Sequence, residues 1–478
     1  MNIQNLLLAA VFVPIIGSCT LPIIGWVSPR LRNGFSLAYV LFSLIAAICM
    51  LPSVFSGDVT SATFSFPLGF NFILTADCLA VFMAISSSLI GAIIVFYSWG
   101  YISHYQNQHE YYFLVTLFLG SMMGIVFSGN LIFLYVFWEV TALASWRLIG
   151  FFREKSYVIR ADKAFTITMF GAVMMLIGFI ILYQQAGSFD LAHIKQVLGK
   201  NPASNLAVLL ILMGIFSKSA TLPFHSWLPD AGVAPSPVTA LLHAAVLVKI
   251  GVYVYARLFI ATMPIAIPWH TIIPVVAGAS ALISAGAALI DTDLKRIIAY
   301  STISQIGFIF LGLSTSSEIG IAGGLMYILM HGIAKGGLFL CAGIVEQNTH
   351  EKNITKLGGL FKTMPITAMA FLLCSLSVMG IPPLGGFFSK HMVITGAIDS
   401  GHPIIALVFL AGAFLTLIYL FRAFTMVFLG EPHSDTAVEG SPVMVISVSV
   451  LAMLSVASGI YINYISVPIE YTVRQMVR

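Results

Sequence analysis

The chain has 478 residues, of which 59% are hydrophobic and only 8% are charged. Because soluble domains carry about 25% charged residues, this composition and a mean hydropathy of +1.00 exclude a soluble globular protein and predict one that crosses the lipid bilayer many times. The net charge of +4 comes without a basic run, so no nucleic acid is expected as a partner.

Apolar stretches of about 20 residues are long enough to cross a bilayer as helices. About fourteen such stretches predict an all-α polytopic fold with little chain left for a soluble domain. The first is long enough to stay in the membrane, so no cleavable signal peptide is expected. Their approximate limits are 5–26, 34–55, 74–98, 111–128, 130–151, 163–185, 204–228, 236–259, 269–290, 295–314, 318–345, 364–396, 402–429 and 440–464.

The polar connection at 56–73 has its own pattern. Apolar and polar residues alternate there through Phe64, Phe66, Leu68 and Phe70. Strict alternation is typical of a strand with one buried face. This connection is therefore predicted to form a short surface hairpin.

The distribution of Lys and Arg predicts an orientation. Most of these residues in the short connections fall on the side opposite the N-terminus. Cytoplasmic loops carry the excess of positive charge. We expect a multi-pass protein of the cytoplasmic (inner) membrane with both termini on the outer side, since fourteen spans is an even number.

Nothing in the sequence predicts a bound cofactor or metal. The five cysteines stand singly in or beside apolar stretches, without a CxxC pair. Neither an iron–sulfur cluster, a zinc site nor a disulfide framework is expected from this pattern. The chain also lacks a nucleotide loop and a flavin motif, so it is expected to have no redox catalytic residues of its own.

Four lysines lie inside apolar stretches, at Lys218, Lys249, Lys335 and Lys390, and Glu139 lies at similar depth. A charged side chain at the bilayer centre costs ~2.5–3.5 kcal/mol on insertion scales, so such residues usually mark an ion or proton path. A carboxyl group that is simply protonated and hydrogen-bonded is the plainer interpretation of Glu139. Snorkelling of the lysines to an interface fits poorly with their depth.

Two of these lysines belong to an internal repeat. Residues 214–218 read Gly-Ile-Phe-Ser-Lys and residues 386–390 read Gly-Phe-Phe-Ser-Lys. Pro223 and Pro229 follow the first lysine, and the pair at 382–383 precedes the second. Because proline breaks a membrane helix only where the freed backbone groups are buried or wet, two broken helices in matching halves indicate a transporter built from repeats.

Several motifs together resemble those of the proton-conducting antiporter-like membrane subunits. This family occurs in respiratory complex I, in multi-subunit sodium/proton antiporters and in energy-converting hydrogenases. The resemblance covers nearly the whole chain. The matching segments are Trp138-Glu139, Lys218-Ser-Ala-Thr-Leu-Pro-Phe-His225-Ser-Trp-Leu-Pro-Asp230, Pro235 to His243 leading to Lys249, Asp293 to Ser301, His331-Gly-Ile-Ala-Lys335 and Gly380 to Lys390.

The resemblance implies two inverted five-helix repeats, each a half-channel, at about 111–259 and 269–429. A three-helix segment at 1–110 and a C-terminal helix within 430–478 would flank them. The chain stops soon after its last span, so the long lateral helix of the largest complex I member is not expected. Ser145-Trp146 and the chain length look most like the shorter subunits of hydrogenase-4-type complexes.

The resemblance also implies roles for single residues. Glu139 and Lys218 would form a charge-coupled switch, because an approaching carboxylate favours the charged lysine and its departure favours proton release. Lys249 would link the half-channels, and Lys390 would be the outlet.

Three histidines fall near these lysines. His331 stands one helical turn before Lys335, so both side chains share a face, and a relay is favoured over a satisfied core histidine. His243 precedes Lys249 and is expected to act with it. His225 lies in the first helix break and either shuttles protons or caps freed carbonyl groups.

Two positions depart from the family pattern. Arg147 follows Glu139 by eight residues and is expected to snorkel towards the inner surface near Arg153. Ala172 replaces an aspartate that many large complex I subunits carry after the corresponding glycine, and Asp162 is a candidate for a shifted role.

The sequence therefore predicts a proton-translocating subunit of a redox-driven complex, such as an energy-converting hydrogenase or a complex I-like enzyme. Its expected partners are other membrane subunits, including homologous antiporter-like ones, and peripheral redox subunits indirectly. A subunit of a multi-subunit sodium/proton antiporter without redox coupling is the alternative. A scaffold that keeps the fold but does not conduct is a third possibility, against which the four lysines argue.

Overall fold

The computed structural model describes residues 2–66, 71–431 and 437–477, and these residues are mostly helical. Twelve of the described helices are long and apolar enough to cross a membrane. Two further predicted spans, 204–228 and 364–396, contain shorter apolar helices, Asn205–Lys218 and Pro365–Met379, each followed by a break. The predicted all-α fold of about fourteen spans with two proline-broken helices is confirmed.

The elements follow the chain in a simple order. They are α1 (Ile3–Val27), α2 (Pro29–Phe55), β1 (Thr60–Ser65), β2 (Asn71–Ala76), α3 (Cys78–Tyr101), α4 (Gln108–Phe127), α5 (Leu131–Ile149), α6 (Lys155–Ala186), α7 (Leu191–Leu198), α8 (Asn205–Lys218), α9 (Trp227–Asp230), α10 (Ser236–Ala240), a π-helical turn (Leu241–Ala245), α11 (Leu247–Phe259), α12 (Trp269–Ile290), α13 (Leu294–Ser314), α14 (Glu318–Thr349), α15 (Pro365–Met379), α16 (Gly385–Asp399), α17 (Pro403–Phe428), α18 (Pro442–Ile460) and α19 (Ile462–Val477).

Two strands form the predicted hairpin. Strand β1 pairs with β2 in antiparallel register, from Thr60 opposite Ala76 to Ser65 opposite Asn71. Leu68 and Phe70, which contributed to the prediction, lie outside the described residues.

Successive crossings of the membrane divide the connections into two groups. The hairpin face carries the β1–β2 hairpin, the start of α1 and the end of α18. The opposite face carries the end of α1 and the start of α18. The hairpin-face connections include 128–130, 187–204, 260–268 and 400–402, and the opposite-face connections include 102–107, 150–154, 291–293, 350–364 and 437–441. Which face is outside remains a prediction.

Short polar side chains begin several spans. Asp77 accepts a hydrogen bond from the Ala80 backbone N–H, 2.9 Å away, at the start of α3. Asp293 accepts from the backbone N–H groups of Lys295 and Arg296 at the start of α13. Such N-caps satisfy donors that the first helical turn leaves free.

The first break follows Lys218, where α8 ends. The Trp227 indole N–H donates to the Ser217 carbonyl oxygen at 2.9 Å and so satisfies a backbone group that the break exposes. Helix α6 packs closely on α8, since a Cβ atom added at Gly171 would lie 1.9 Å from Ser217 Oγ. Small residues allow such close helix approach in membranes.

The second break lies between α15 and α16. Helix α15 ends at Met379, and Gly380 follows with a φ of 84°, a left-handed conformation that glycine adopts at low cost. Each break adjoins a 32-residue helix, α6 in the first half and α14 in the second. The limits of the two repeats remain a prediction.

Helices α7 and α19 were not expected from the sequence. The connection at 186–203 contains α7, and the last span ends at Ile460 with α19 as a separate helix. On α19 the buried residues are Ile469, Thr472, Val473 and Met476. This is the spacing of an amphipathic helix, and a search for continuous apolar stretches misses it.

Candidate functional site

All four predicted lysines are buried inside the protein. The exposed fraction is 0% for Lys218 and Lys335, 1% for Lys249 and 4% for Lys390. Each Nζ donates to a backbone carbonyl oxygen. The acceptors are Trp138 at 3.2 Å for Lys218, Ala244 at 2.5 Å for Lys249, Ile298 at 3.1 Å for Lys335 and Val378 at 2.7 Å for Lys390.

Lys218 and Glu139 are neighbours, but no ion pair joins them in the described part of the chain. Lys218 Nζ bonds to the Trp138 carbonyl oxygen and lies 5.1 Å from the centre of the Trp138 ring. Both carboxylate oxygens of Glu139 are buried and meet no donor at hydrogen-bonding geometry. The two members of the predicted switch therefore both adjoin Trp138 and form no ion pair with each other among the described residues.

Lys249, on α11, contacts a histidine on α14. Its Nζ lies 2.9 Å from His331 Nδ1, on α14. The π-helical turn just before α11 leaves the Ala244 carbonyl oxygen available to the same Nζ. Gly332 keeps the space open, since a Cβ atom there would lie 3.1 Å from that oxygen. π-Helical turns are frequent at functional sites.

A second group surrounds Lys390. Its Nζ lies 4.6 Å from the ring centre of Phe308 and 5.7 Å from that of Tyr327. The Tyr327 ring also contacts the His331 ring, with the two centres 5.9 Å apart. Tyr327 thus stands between Lys390 and the Lys249–His331 contact.

A hydrogen-bonded network that sequence reasoning missed continues from Tyr327. The Tyr327 hydroxyl donates to Gln305 Oε1 at 2.7 Å, and Gln305 Nε2 donates to Thr416 Oγ1 at 3.2 Å. The Tyr419 hydroxyl donates to Ser301 Oγ at 2.7 Å. Gln305, an amide inside an apolar span, was the available signal for this network.

The two remaining predicted histidines are placed differently. His243 is fully buried against Phe339, with ring centres 4.5 Å apart, and neither of its ring nitrogens has a hydrogen-bond partner. His225 lies in the first break with Nδ1 buried and unbonded. Among the described residues, the Ser217 carbonyl group is capped by Trp227 and no capping bond from the His225 ring is observed.

Unpaired polar atoms concentrate around these groups. They include both oxygens of Glu139, both ring nitrogens of His243, Nδ1 of His225 and Nε2 of His331. Buried polar atoms in proteins nearly always have a partner, and ordered water is the partner that suits a polar cavity. A lysine ammonium has three donors, so water is also needed there. A hydrated path through the membrane centre is what this arrangement can support.

At the opposite face, in contrast to the buried lysines, cationic side chains pair with carboxylates. Arg147 pairs with Glu110, as does Arg153 at 2.8 Å, so the expected location of Arg147 near Arg153 is observed. Asp162 accepts from the Trp146 indole N–H at 2.8 Å. Further pairs are Lys163–Asp230, Arg296–Asp230, Arg296–Asp291, Lys295–Glu346, Lys352–Asp293 and Lys356–Glu351.

One ion pair lies at the hairpin face of the described residues, between Asp77 and Arg257. Burial alone raises the pKa of the Asp77 carboxyl, but the Arg257 guanidinium more than offsets this, so the pKa lies below its usual value. At the opposite face burial raises the pKa of Asp293, and Lys352 offsets only part of that rise.

The described residues contain no group of three His, Cys, Asp or Glu side chains arranged to hold a metal ion. The chemistry that this site can perform with its own side chains is proton transfer.

A family model agrees with this picture. The model described as NADH:quinone oxidoreductase/Mrp antiporter, TM, matches residues 128–416. The chain belongs to this family. It is therefore an antiporter-like membrane protein, as the motifs indicated.

Curated relatives are antiporter subunits. The chain is 33% identical to a Na(+)/H(+) antiporter subunit of Staphylococcus haemolyticus (strain JCSC1435) over 496 residues. It is 34% identical to a Na(+)/H(+) antiporter subunit of Alkalihalophilus pseudofirmus over 498 residues. Both matches cover 96% of this chain and 61% of the relative. The chain thus spans about 61% of the length of these relatives.

Two solved structures share the antiporter-like fold. A chain of the Mrp complex from Dietzia sp. DQ12-45-1b superposes with a TM-score of 0.90 at 23% identity, covering 100% of this chain and 98% of that one. A chain of the archaeal membrane-bound sulfane sulfur reductase superposes with a TM-score of 0.91 at 22% identity, covering 99% of this chain and 98% of that one. At these identities the likeness concerns the fold.

Proposed function

We propose that this chain is a proton-translocating subunit of a multi-subunit sodium/proton antiporter. The relatives at 33% and 34% identity are named as Na(+)/H(+) antiporter subunits. They favour this function over the redox-driven complex that the motifs led us to expect. The similarity to the sulfane sulfur reductase chain concerns the fold alone and does not support a redox function. Other membrane subunits of the same complex are its proposed partners.

The contact between Lys249 and His331 carries the proposal. It places two proton-binding groups 2.9 Å apart at mid-membrane, one from each half of the chain. Both side chains are buried to within 1% of their surface. A proton can move between two nitrogens at hydrogen-bonding distance, so this contact can join two half-channels.

The remaining groups extend the path on either side. Glu139 and Lys218 form the proposed switch in the first half. In the second half protons pass by His331 and Lys335 to Lys390, with Tyr327 between them. Helix α16 runs from Lys390 towards the hairpin face, so Lys390 is the proposed outlet on that face. His243 and His225 serve as intermediate proton carriers.

Transport in everted membrane vesicles containing the whole complex tests the proposal. Lys249→Met should lower sodium-driven proton movement by at least about tenfold, the lower range for loss of a proton-transfer group. The readout is a pH-sensitive dye inside the vesicles. Lys200→Met, at an exposed connection on the hairpin face, is the matched control and should transport normally.

Assembly must be followed in the same membranes by co-purification of the partner subunits. Full transport by an assembled Lys249→Met complex would favour a scaffold that does not conduct. Proton movement that depends on an electron donor and not on sodium would favour the redox-driven complex.

A further inference from the structure

A row of neighbouring residues on α14 makes a series of contacts with other helices. Its members recur every three or four residues, so each adjoins the next and the row winds partly around the helix. From the centre to the opposite face they are Tyr327, His331, Lys335, Phe339, Gly343 and Glu346. From His331 to Glu346 the helix rises about 22 Å, at 1.5 Å per residue. We call this row the α14 stripe.

Phe339 and Gly343 of the stripe each contact polar groups from other helices. Phe339 packs against the unbonded His243 ring. At Gly343 an added Cβ atom would lie 2.8 Å from the Tyr97 hydroxyl and 2.9 Å from Ser236 Oγ. The missing side chain therefore allows the Tyr97 and Ser236 hydroxyl groups to come close to the α14 backbone at this point. Among the described residues, no hydrogen-bond partner at full geometry is found for the buried Ser236 Oγ.

The stripe ends at an unusual ion pair. Glu346 is about one-third exposed, whereas its partner Lys295, 2.5 Å away, has an exposed side-chain fraction of 4%. The Lys295 ammonium also donates to the Ala234 carbonyl oxygen at 3.3 Å. Lys295 is therefore anchored inside the protein, and it holds a carboxylate that reaches water at the opposite face.

We propose that Glu346, held by Lys295, is the port through which the central relay exchanges protons with water at the opposite face. This rests on the proposed function and names an entrance for it. The carboxylate takes a proton from a hydronium ion, which leaves as water. It then gives the proton to a water molecule beside Ser236 and Tyr97, and the carboxylate is restored. From there the proton passes to His243, and on to Lys335 and His331.

The same contacts explain why His243 is a suitable receiver. Its two ring nitrogens have no protein partner in the described chain, and it lies one turn of α14 closer to the centre than Gly343. Unbonded polar atoms at both ends of this interval, His243 and Ser236, match the requirement for bridging water.

Sodium-driven proton movement by the complete complex in vesicles tests the port. Glu346→Gln keeps the size and an acceptor for Lys295 but cannot carry a proton, so transport should fall by about tenfold or more. Glu346→Asp should recover most of it. The solvent deuterium isotope effect on the rate should rise in Glu346→Gln, because proton exchange then limits transport. A merely structural role would leave the isotope effect unchanged.

Glu351→Gln is the matched control. Glu351 is an acid on the same face, paired with Lys356 at 3.6 Å and outside the α14 stripe, and its loss should leave the rate unchanged. Tyr97→Phe is a second variant that keeps the Lys295 pair. It removes one hydroxyl group at Gly343 and should slow transport several-fold, within the lower range for a proton-transfer group.

Lys335→Met in the same vesicles separates the two proposals. If Lys335→Met abolishes transport while Glu346→Gln and Tyr97→Phe transport normally, the port is overturned and the relay stands. If Lys335→Met also transports normally in an assembled complex, the proposed function itself fails. If the Glu346→Gln complex assembles poorly, the Tyr97→Phe variant tests the port: slower transport with a larger isotope effect supports it, and normal transport overturns it.

Discussion

Positively charged side chains near the two faces of this protein have different partners from those at its centre. Towards the faces, Arg147, Lys163, Arg257 and Arg296 pair with carboxylates. At the centre the four buried lysines bond to backbone carbonyl oxygens, and Lys218 and Lys390 also pack against aromatic rings.

This difference separates structure from transport. A carboxylate partner stabilises a fixed charge, and removing one member of a buried pair leaves the other uncompensated. A carbonyl oxygen accepts a hydrogen bond from a charged or a neutral amine alike. A lysine held in this way can give up its proton without losing its position. Variants at the two kinds of site should therefore fail in different ways.

The largest effect is expected at Asp77. Asp77→Ala leaves Arg257 buried without its carboxylate and should lower the free energy of unfolding by about 3–5 kcal/mol. Thermal unfolding of the purified protein in detergent measures the loss. Asp58→Ala, at an exposed acid on the same face, should unfold like the wild type. Equal stability of the two variants would mean that the Asp77–Arg257 pair adds nothing.

The same pair should make stability depend on pH. In an unfolded chain aspartate titrates near pH 4, and in the folded protein the pKa of Asp77 is lower because Arg257 outweighs burial. The folded state therefore binds this proton less readily than the unfolded state. The pair's contribution is present in full above about pH 4 and is lost as the pH falls through the lowered pKa.

Melting temperatures of the wild type and Asp77→Ala, recorded from about pH 5 to about pH 3, check this dependence. The difference in melting temperature between the wild type and Asp77→Ala should become smaller as the pH falls. A constant gap would show that the two proteins differ for another reason.

A pair of lysine variants sharpens the comparison. Lys218→Met should lower transport by at least about tenfold with stability kept or raised, because a hydrophobic side chain replaces a buried amine. Lys163→Met removes one of two cations on Asp230. It should lower the free energy of unfolding by ~1 kcal/mol or less and leave transport intact. Transport in vesicles and melting in detergent are measured on both, and the opposite pattern would refute the separation.

The smallest effect is expected at the first helix break. Trp227→Phe removes the hydrogen bond to the Ser217 carbonyl oxygen and should cost ~1 kcal/mol of unfolding free energy. Trp269→Phe, which loses a 2.9 Å bond to Asn205 at the hairpin face, is the control for a similar loss outside the site. If transport falls in Trp227→Phe and not in Trp269→Phe, the geometry of the first helix break contributes to proton transfer.

The sequence by itself predicted the spans, the two broken helices, the hairpin and the burial of Lys218, Lys249, Lys335 and Lys390. It could do so because a bilayer requires about 20 apolar residues for each span, and charges or prolines within such a stretch are conspicuous. Helix α19 was not predicted, because its apolar residues repeat every three or four positions on a single face and form no continuous apolar stretch.

Only the tertiary structure decided which groups touch. His331 and Lys249 are 82 positions apart, and nothing local in either segment specifies their 2.9 Å contact. The same holds for Glu110 as the partner of Arg147, for Tyr327 beside Lys390 and for the hydroxyl groups at Gly343. Such contacts depend on how helices from different halves pack, and that packing is set by small residues and side-chain shapes along the whole interface, which periodicity and composition do not encode.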